Sequence, residues 1–400
     1  MLRDVDLASP GSVEDPAEYF AAAMETGPVQ WSDAHRGWVV LSHAEVEAAF
    51  RDDKTLSADR SRSFRRSVEG KGESLERAAE LLTTWMNFRD APEHTRLRQP
   101  VKGAFTPRRV NALDSAIQSV VDEVIARFEG QTVELTNDFA RPVPALVIAE
   151  ILGVDREHRE RFQAWSHDLA QLVFATQPGV TPDPSVGQAS DEFIAFFRRL
   201  VEEERKHPSD SLLSTIVHDT GTGLSELELI GTCTLLLFAG HETTQTLIAN
   251  AMGMLLERDD LVAQMRHDPA IDETAVDEFM RVVGPARSMI RKVAIDHERG
   301  GQQLKKGQTV YLAIAAANHD PSVFPDPGTV DLWRDPNPHL GFGWGPHYCL
   351  GANLARLEAR IAIRTLLDRF SEITPAGSLT PLHGGVVGFG RRPLRVHLTA

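Results

Sequence analysis

The segment FGWGPHYCLG, residues 342–351, holds the residue best suited to metal chemistry, the cysteine at position 349. Its three glycines and one proline predict an irregular loop, and a helix is expected to begin near Cys349. The unpaired N–H groups at a helix start favour a thiolate. Gly345 and Gly351 would leave room for a flat, bulky group beside the sulfur. The alternatives are a buried cysteine in a turn and a disulfide to Cys233, a bond that is rare in the cytosol.

A second candidate is HETTQ at residues 241–245, which nearly matches the zinc-peptidase motif HExxH. That motif needs two histidines one helical turn apart to share a metal ion. Because Gln245 stands in the second position, we disfavour zinc hydrolysis. The sequence also has no GxxxxGK[ST] phosphate loop, no GxGxxG after a strand and no GxSxG nucleophile turn.

Composition excludes several classes of protein. The 400 residues carry 42 Lys and Arg against 57 Asp and Glu, and the net charge of −15 argues against nucleic-acid binding. Two cysteines exclude a disulfide scaffold and a four-cysteine metal site. No window approaches the ~18 consecutive apolar residues of a membrane span, and the first residues lack the apolar core of a secretory signal. We therefore expect a cytoplasmic protein that binds no membrane.

The elements that would position these residues are mainly helices. The longest predicted helix is Ser225–Glu257, where Ser225 and Glu228 form a capping box and an apolar centre indicates burial. A second helix follows the cysteine, with one apolar stripe made of Leu350, Leu354, Leu357 and Ile361. Strands are predicted at Trp38–Leu41, Thr309–Ile314 and Leu394–Leu398, and loops at Ser61–Gly72 and His207–Gly223. No linker divides the chain, so we expect one domain over residues 1–400, mainly α with a small β region.

The spacing of Phe342, Gly345, Cys349 and Gly351 matches FxxGxxxCxG, the haem-binding loop of the cytochrome P450 family. The sequence resembles that family along essentially its whole length. Four further segments are similar to family segments and occur in family order: Asp90–Arg98, Ala239–Thr244, Glu278–Arg281 and Ala317–Pro321. The resemblance implies a helix-rich triangular prism with haem between the long central helix and the cysteine-loop helix, and no fused reductase.

The resemblance also implies the residues that hold the cofactor, haem b (iron protoporphyrin IX). Cys349 as thiolate would be the iron ligand, and its electron donation favours O–O cleavage. Phe342 and Gly345 would lie near the cysteine side of the ring, and the Glu278–Arg281 pair would be structural. The haem propionates need local cations, which arginine supplies bidentately. The implied partners are His94, Arg98, Arg291 and His347.

On the opposite face of the haem, the resemblance implies an oxygen-activating helix segment. Gly240 and Thr243 would open the long helix locally, and Thr243 would hydrogen-bond the bound oxygen. Glu242 would relay protons from solvent, which heterolytic O–O cleavage requires. His241 is expected to pack or to face solvent.

Substrate contacts are implied for Leu235, Leu236 and Ala239 on the long helix, for residues 286–290 including Met289, and for residues 385–388. Most of these residues are apolar, so we expect a mainly apolar organic substrate. Arg287 and the stretch Arg60–Arg66 in a lid loop could meet a substrate carboxylate, and the alternative is a solvated loop.

The implied activity is a monooxygenase of secondary metabolism, a monomer that takes electrons from NAD(P)H through a separate ferredoxin and ferredoxin reductase. No flavin or nicotinamide fingerprint is present, so the electrons must come from another protein. The alternatives are an H₂O₂-driven peroxygenase and a non-catalytic haem-thiolate binder or sensor, neither of which needs Glu242 and Thr243. The sequence leaves the substrate, regiochemistry and pathway open. A basic docking patch for the electron donor is predicted from Arg96, Lys102, Arg108, Arg109, Arg356 and Arg360.

Overall fold

The computed structural model describes residues 4–128, 132–155, 183–218, 223–389 and 393–399, and residues 158, 161, 165 and 173 between these ranges. Helices dominate the described residues. In chain order they are α1 Pro10–Glu14, α2 Pro16–Met24, α3 His43–Arg51, α4 Ser61–Val68, α5 Glu73–Thr83, α6 Glu93–Lys102, α7 Pro107–Asn111, α8 Asp114–Ile125, α9 Pro142–Leu152, α10 Pro184–Lys206, α11 Leu212–His218, α12 Glu226–Glu257, α13 Asp259–His267, α14 Asp272–Val283, α15 Ile314–Ala317 and α16 Ala352–Arg369. Single 3₁₀ turns include Met86–Phe88 and Gly345–His347.

The strands are short and form three small sheets. They are β1 Val29–Ser32, β2 Gly37–Val40, β3 Leu56–Ser57, β4 Thr132–Glu134, β5 Met289–Val293, β6 His297–Arg299, β7 Gln302–Leu304, β8 Thr309–Leu312, β9 Glu372–Pro375 and β10 Arg395–Thr399. The largest sheet has the order β1-β2-β8-β5-β3, in which only β2 and β8 run parallel. β10 lies between β4 and β9, and β6 pairs with β7. The predicted strands at 38–41, 309–314 and 394–398 are confirmed to within two residues.

The chain forms two compact units that alternate along the sequence. The first contains Met1–Ser57, Asp114–Val143 and Thr243–Ala400, and the second contains Ala58–Leu113 and Pro144–Glu242. The first unit holds the sheets, the cysteine loop and α16, around a core that includes Val310, Leu312 and Leu340. The second holds α4 to α7, α10, α11 and the first half of α12. The prediction of one domain over residues 1–400 stays a prediction.

The long helix begins where the capping box predicted. The Ser225 N–H donates to Glu228 Oε2 at 2.8 Å, and the Glu228 N–H donates to Ser225 Oγ at 3.3 Å. The two bonds satisfy amide groups that a helix start otherwise leaves open, so α12 begins at Glu226. None of the helices in the described ranges is long and apolar enough to cross a membrane.

The prediction of loops at Ser61–Gly72 and His207–Gly223 is wrong for part of each range. Residues 61–68 form α4 because Phe64 and Val68 lie one turn apart and are both buried, while the arginines occupy the opposite face. Arginine and serine dominate the sequence of this segment. Phe64 and Val68 are its two large apolar residues, and two residues give only a weak helical pattern. In the second range, α11 buries Leu212, Leu213 and Ile216.

Candidate functional site

The loop that carries Cys349 is closed by its own backbone. The Cys349 N–H donates to the Phe342 carbonyl at 2.9 Å, and the Tyr348 N–H donates to the Gly345 carbonyl at 3.0 Å. α16 begins at Ala352, three residues after the cysteine, which confirms the predicted helix start closely. Cys349 is only partly buried. Its side chain thus stays accessible in a tight loop just before the start of α16.

The glycines of this loop have two different roles. Gly345 has φ +70°, and a Cβ there would lie 2.8 Å from the Phe50 carbonyl oxygen. The backbone therefore requires glycine at 345. The sequence analysis had instead explained this glycine by the room that it leaves for a flat group beside the sulfur. A Cβ added at Gly351 would meet no described atom within 4 Å beyond its chain neighbours. The expected room beside the sulfur is thus found at Gly351.

The second cysteine has a contrasting environment. Cys233 is completely buried in α12, and burial raises the pKa of its thiol to about 12. At neutral pH this thiol stays protonated, and a metal ligand must be a thiolate. Neither cysteine forms a disulfide. Cys349 is therefore the cysteine that can serve as a thiolate ligand.

A cation and an ion pair brace the aromatic side chain at the loop start. The Arg356 guanidinium carbon lies 4.4 Å from the centre of the Phe342 ring, and Arg356 Nε donates to Asp277 Oδ1 at 2.6 Å. His339 Nε2 lies 3.2 Å from the same carboxylate oxygen. Burial opposes ionisation of Asp277, but His339 and Arg356 outweigh it and hold the pKa below its ordinary value. Arg356 thus supports the loop from within the unit, whereas the sequence reading placed it in a docking patch.

The Glu278–Arg281 motif forms a buried structural pair, not a surface helix pair. Arg281 makes two hydrogen bonds to the Glu278 carboxylate, and both side chains are 0% exposed. Arg281 also donates to the carbonyls of Asn318, Pro327 and Thr329. The pair therefore ties α14 to the segment that leads into the cysteine loop.

One face of α12 is open in the middle of an otherwise buried helix. Ala239 and Thr243 are exposed and lie one turn apart, while Leu235, one turn earlier, is 5% exposed. The helix runs from Glu226 to Glu257, and the expected local opening at Gly240 and Thr243 stays a prediction. A Cβ at Gly240 would touch Ile148 at 3.4 Å, which is ordinary contact distance. Of the predicted oxygen-side residues, Thr243 thus lies on an accessible strip of the helix, which it forms with Ala239.

The neighbouring polar residues of α12 lie on its buried side. His241 is fully buried, and its Nδ1 lies 3.8 Å from Glu242 Oε1. The Glu242 side chain is only 14% exposed. Of the two alternatives for His241, packing is therefore the correct one. Gln245 is buried too, and no group of three His, Cys, Asp or Glu side chains suited to a metal ion occurs in the described part of the chain.

The four predicted propionate partners divide between the units. His94 is buried and Arg98 partly buried, one turn apart on α6. Arg291 and His347 belong to the other unit and are both partly buried. The Arg291 guanidinium lies 5.9 Å from the Phe50 ring centre, and Phe50 also lies against the cysteine loop. Each unit thus contains two of the four predicted partners, and Phe50 lies between Arg291 and the cysteine loop.

The predicted substrate residues are placed differently from one another. Met289 opens β5 and is 39% exposed, whereas Leu235 is buried. Arg287, an alternative contact for a substrate carboxylate, is completely enclosed. Its guanidinium donates to the carbonyls of Leu7 and Ser12 at 2.6 and 2.5 Å and lies 5.0 Å from the Phe389 ring centre. It therefore fixes the N-terminal segment, and the idea that it meets substrate is wrong.

Sequence reasoning missed one buried acid, Glu358 of α16. Its side chain is enclosed, and Oε2 has no hydrogen-bond partner among the described residues. Burial raises the pKa of this carboxyl well above its usual value. The flanking Leu354, Leu357 and Ile361 supplied a signal, because a glutamate beside their stripe sits on the buried side of the helix.

The residues present fit a haem with one protein ligand. The accessible Cys349 in its glycine loop and the space at Gly351 suit a flat cofactor, and the buried Cys233 does not compete for it. A haem iron would need only one protein thiolate, because the porphyrin itself would supply four nitrogen ligands. The donor set is therefore that of a haem-thiolate protein.

Comparison with known proteins establishes the class. The family model for cytochrome P450 matches residues 29–400. The chain is 32% identical to the biotin biosynthesis cytochrome P450 of Bacillus subtilis over 374 residues, which cover 92% of each chain. It is 35% identical to 6-deoxyerythronolide B hydroxylase of Saccharopolyspora erythraea over 382 residues, again covering 92% of each. A crystal structure of P450BioI with acyl carrier protein ligated to hexadec-9Z-enoic acid superposes with a TM-score of 0.84 at 31% identity, covering 97% of this chain and 99% of the other.

The chain belongs to the cytochrome P450 family and has its fold. It is a cytochrome P450 monooxygenase with a haem-iron cofactor, and it acts on small organic molecules with the help of redox partners. Its relatives include enzymes of polyketide and other secondary metabolism. The resemblance read from the cysteine loop is thus confirmed.

Proposed function

We propose that this enzyme inserts one oxygen atom from O₂ into a mainly apolar organic substrate, using electrons from NAD(P)H that a ferredoxin reductase and a ferredoxin deliver. The observation that carries the proposal is the exposed strip of Ala239 and Thr243 on α12, with the enclosed Glu242 beside it. An acid next to a hydroxyl at an accessible surface is what proton delivery needs. A cytoplasmic, monomeric enzyme is the expectation from the sequence.

We assign haem b as the cofactor, with the Cys349 sulfur as its iron ligand. The bound haem would supply the binding and reductive activation of O₂. His94, Arg98, Arg291 and His347 would pair with its propionates, because cations near a carboxylate favour its charged form. Phe342, held by Arg356, would cover the cysteine side of the ring, and Gly345 would keep the loop in shape.

Two residues of α12 would handle protons. The Thr243 hydroxyl is exposed and can both donate and accept a hydrogen bond, so it can order a water molecule or a polar oxygen at this surface. The Glu242 carboxyl would take protons from solvent and pass them toward that hydroxyl. Its limited exposure protects the relay from bulk water while leaving a path to it.

Substrate would contact Leu235, Ala239 and Met289, which are apolar. The relatives are consistent with an apolar ligand. P450BioI is described with a carrier protein that bears hexadec-9Z-enoic acid, and a second relative hydroxylates 6-deoxyerythronolide B. We propose a lipid-like or polyketide-like skeleton on this basis.

The test uses the haem-loaded enzyme with a ferredoxin, its reductase and NADH. In Thr243→Ala we expect NADH oxidation to continue while the share of electrons lost to H₂O₂ rises, because a proton-ordering hydroxyl is missing. Thr244→Ala, a buried neighbour, is the control and should keep the coupling of the wild type. Equal H₂O₂ yields in Thr243→Ala and the wild type would contradict the proposed role, and so would full turnover in Glu242→Gln.

A further inference from the structure

Asp277 of α14 holds two side chains that both lie against the ring of Phe342. Arg356 Nε donates to Asp277 Oδ1 at 2.6 Å. The Gly341 N–H donates to His339 Nδ1 at 3.2 Å, so the ring proton of this histidine is on Nε2. His339 Nε2 in turn donates to Asp277 Oδ1 at 3.2 Å. All five residues belong to one compact unit, and one carboxylate thus orients two neighbours of the aromatic ring.

Phe342 connects this group to the cysteine. Its ring centre lies 4.4 Å from the guanidinium carbon of Arg356 and 5.7 Å from the ring centre of His339. Its carbonyl accepts the Cys349 N–H at 2.9 Å. Arg356 also forms a hydrogen bond with the side chain of Tyr348, the residue before the cysteine. The Arg356 cation therefore contacts the cysteine loop at two points.

Arg356 is fixed in its charge as well as in its position. Its side chain is partly buried, and burial alone would lower its pKa. Asp277 and Tyr348 outweigh this effect and hold the pKa of Arg356 above its ordinary value. A partly desolvated charge acts more strongly on its surroundings than a solvated one does, because the effective dielectric constant is lower. The oriented cation is thus able to influence the charge on the Cys349 sulfur and on a group bound to it.

We propose that Arg356, positioned by Asp277, sets the reduction potential of the haem iron that Cys349 would bind. Ferric haem carries one positive charge more than ferrous haem, so a nearby cation favours the reduced state and a nearby anion favours the oxidised state. Groups that surround a metal ligand commonly tune the metal in this way. Arg356 is a positioning residue here, because it acts through the loop that holds the ligand. This inference rests on the proposed function, since it concerns the same haem site.

The test is a potentiometric titration of the haem-loaded enzyme with dithionite in the presence of redox dyes. Arg356→Gln leaves the Asp277 carboxylate without its cation, so the potential should fall. Asp277→Asn leaves the Arg356 cation without its carboxylate, so the potential should rise. Each change should alter the ferrous-to-ferric ratio at a given potential about tenfold, which is about 59 mV for one electron. Arg356→Lys keeps the charge and should remain close to the wild type.

A second ion pair between the same two helices supplies the matched control. Arg364 Nε of α16 donates to Asp272 Oδ2 of α14 at 2.8 Å. Arg364 lies two turns beyond Arg356, or about 12 Å farther along the helix. Arg364→Gln therefore breaks an ion pair of the same kind between α14 and α16 at a distance from the loop, and it should leave the potential unchanged.

Shifts of opposite sign in Arg356→Gln and Asp277→Asn, with Arg364→Gln unchanged, would support the proposal. Shifts in the same direction would indicate a loss of structure only and would overturn it, and so would unchanged potentials. If Arg356→Gln fails to bind haem, a potential that does not rise in Asp277→Asn overturns the proposal by itself. The absorption spectrum of the reduced, CO-bound wild type is recorded in parallel. Absence of the thiolate-type band there would contradict the proposed function and this inference with it, whereas a normal band with unshifted potentials would overturn the inference alone.

Discussion

Glu278 and Arg281, one turn apart on α14, form a two-point ion pair with both side chains fully enclosed. Arg281 Nε lies 2.8 Å from Glu278 Oε2, and Arg281 Nη2 lies 2.7 Å from Oε1. Glu278 also accepts hydrogen bonds from the Asp331 N–H and from Asn337 Nδ2. Burial alone would raise the pKa of Glu278, but these partners outweigh it, and the pKa lies below its ordinary value. A second cation also faces this carboxylate, since Arg334 Nε lies 3.3 Å from Glu278 Oε2. Removing Glu278 would therefore leave Arg281 as a buried charge, whereas removing Arg281 would leave Glu278 with Arg334 as its one remaining cation among the described residues.

We predict that Arg281→Gln lowers the free energy of unfolding by about 3 kcal/mol, the lower end of the typical cost of breaking a buried ion pair, because Arg334 still faces Glu278. Urea unfolding of the haem-loaded protein measures this change. Arg127→Gln is the control because Arg127 pairs with Glu123 on the protein surface, where such a pair contributes ~0.2–1 kcal/mol. Similar losses of unfolding free energy in the two variants would show that the enclosed pair stabilises the fold no more than a surface pair does.

Glu358 should make stability depend on pH. Its folded-state pKa is raised by burial, so the folded chain keeps a proton that the unfolded chain releases near pH ~4.3. The full free energy of unfolding is therefore present below that pH. As the pH rises from there toward the folded-state pKa, the free energy of unfolding falls by up to about 1.4 kcal/mol per pH unit. We predict that Glu358→Gln gains stability relative to the wild type between pH 5 and pH 8.

Thermal unfolding at several pH values measures this difference. The control is Glu372→Gln at an exposed position of β9, which should follow the wild type at every pH. A constant difference between Glu358→Gln and the wild type across the range would mean that Glu358 does not retain its proton.

The basic residues proposed to meet a ferredoxin fall into two groups. Lys102, Arg108 and Arg109 are exposed. The other three are partly buried and pair with acids: Arg96 with Glu228, Arg356 with Asp277 and Arg360 with Asp114. We predict that reversing Arg108 and Arg109 to Glu slows haem reduction by an acidic ferredoxin about tenfold at low salt. The slowing should fade at high salt, because such contacts act on encounter and are screened. Stopped-flow reduction measures the rate.

Two controls accompany the reversal of Arg108 and Arg109. Reduction by dithionite needs no docking and should be unchanged. Arg356→Glu should instead lower the unfolding temperature, because it places a second carboxylate beside Asp277. A ferredoxin-driven rate that is insensitive to salt and to the double reversal would place docking on another surface.

Short-range signals in the sequence were sufficient for the parts of the molecule that short-range forces determine. The capping box of Ser225 and Glu228 located the start of α12, and the spacing around Cys349 identified the protein family. The burial of Arg287 could not be predicted, because its partners Leu7 and Ser12 lie about 280 residues away in the sequence. α4 was missed because its anchors are two residues among arginines. Whether such residues are buried depends on contacts with distant parts of the chain, and local propensity does not reveal these contacts.

The most direct test of the account is the absorption spectrum of the reduced, CO-bound enzyme in cysteine variants. We predict that the wild type and Cys233→Ala both show the red-shifted haem band of a thiolate ligand. Cys349→Ala should lose that band while Cys233→Ala keeps it, because the Cys233 thiol is enclosed and protonated. A thiolate-type band that persists in Cys349→Ala, or that disappears in Cys233→Ala, would contradict the assignment of the iron ligand.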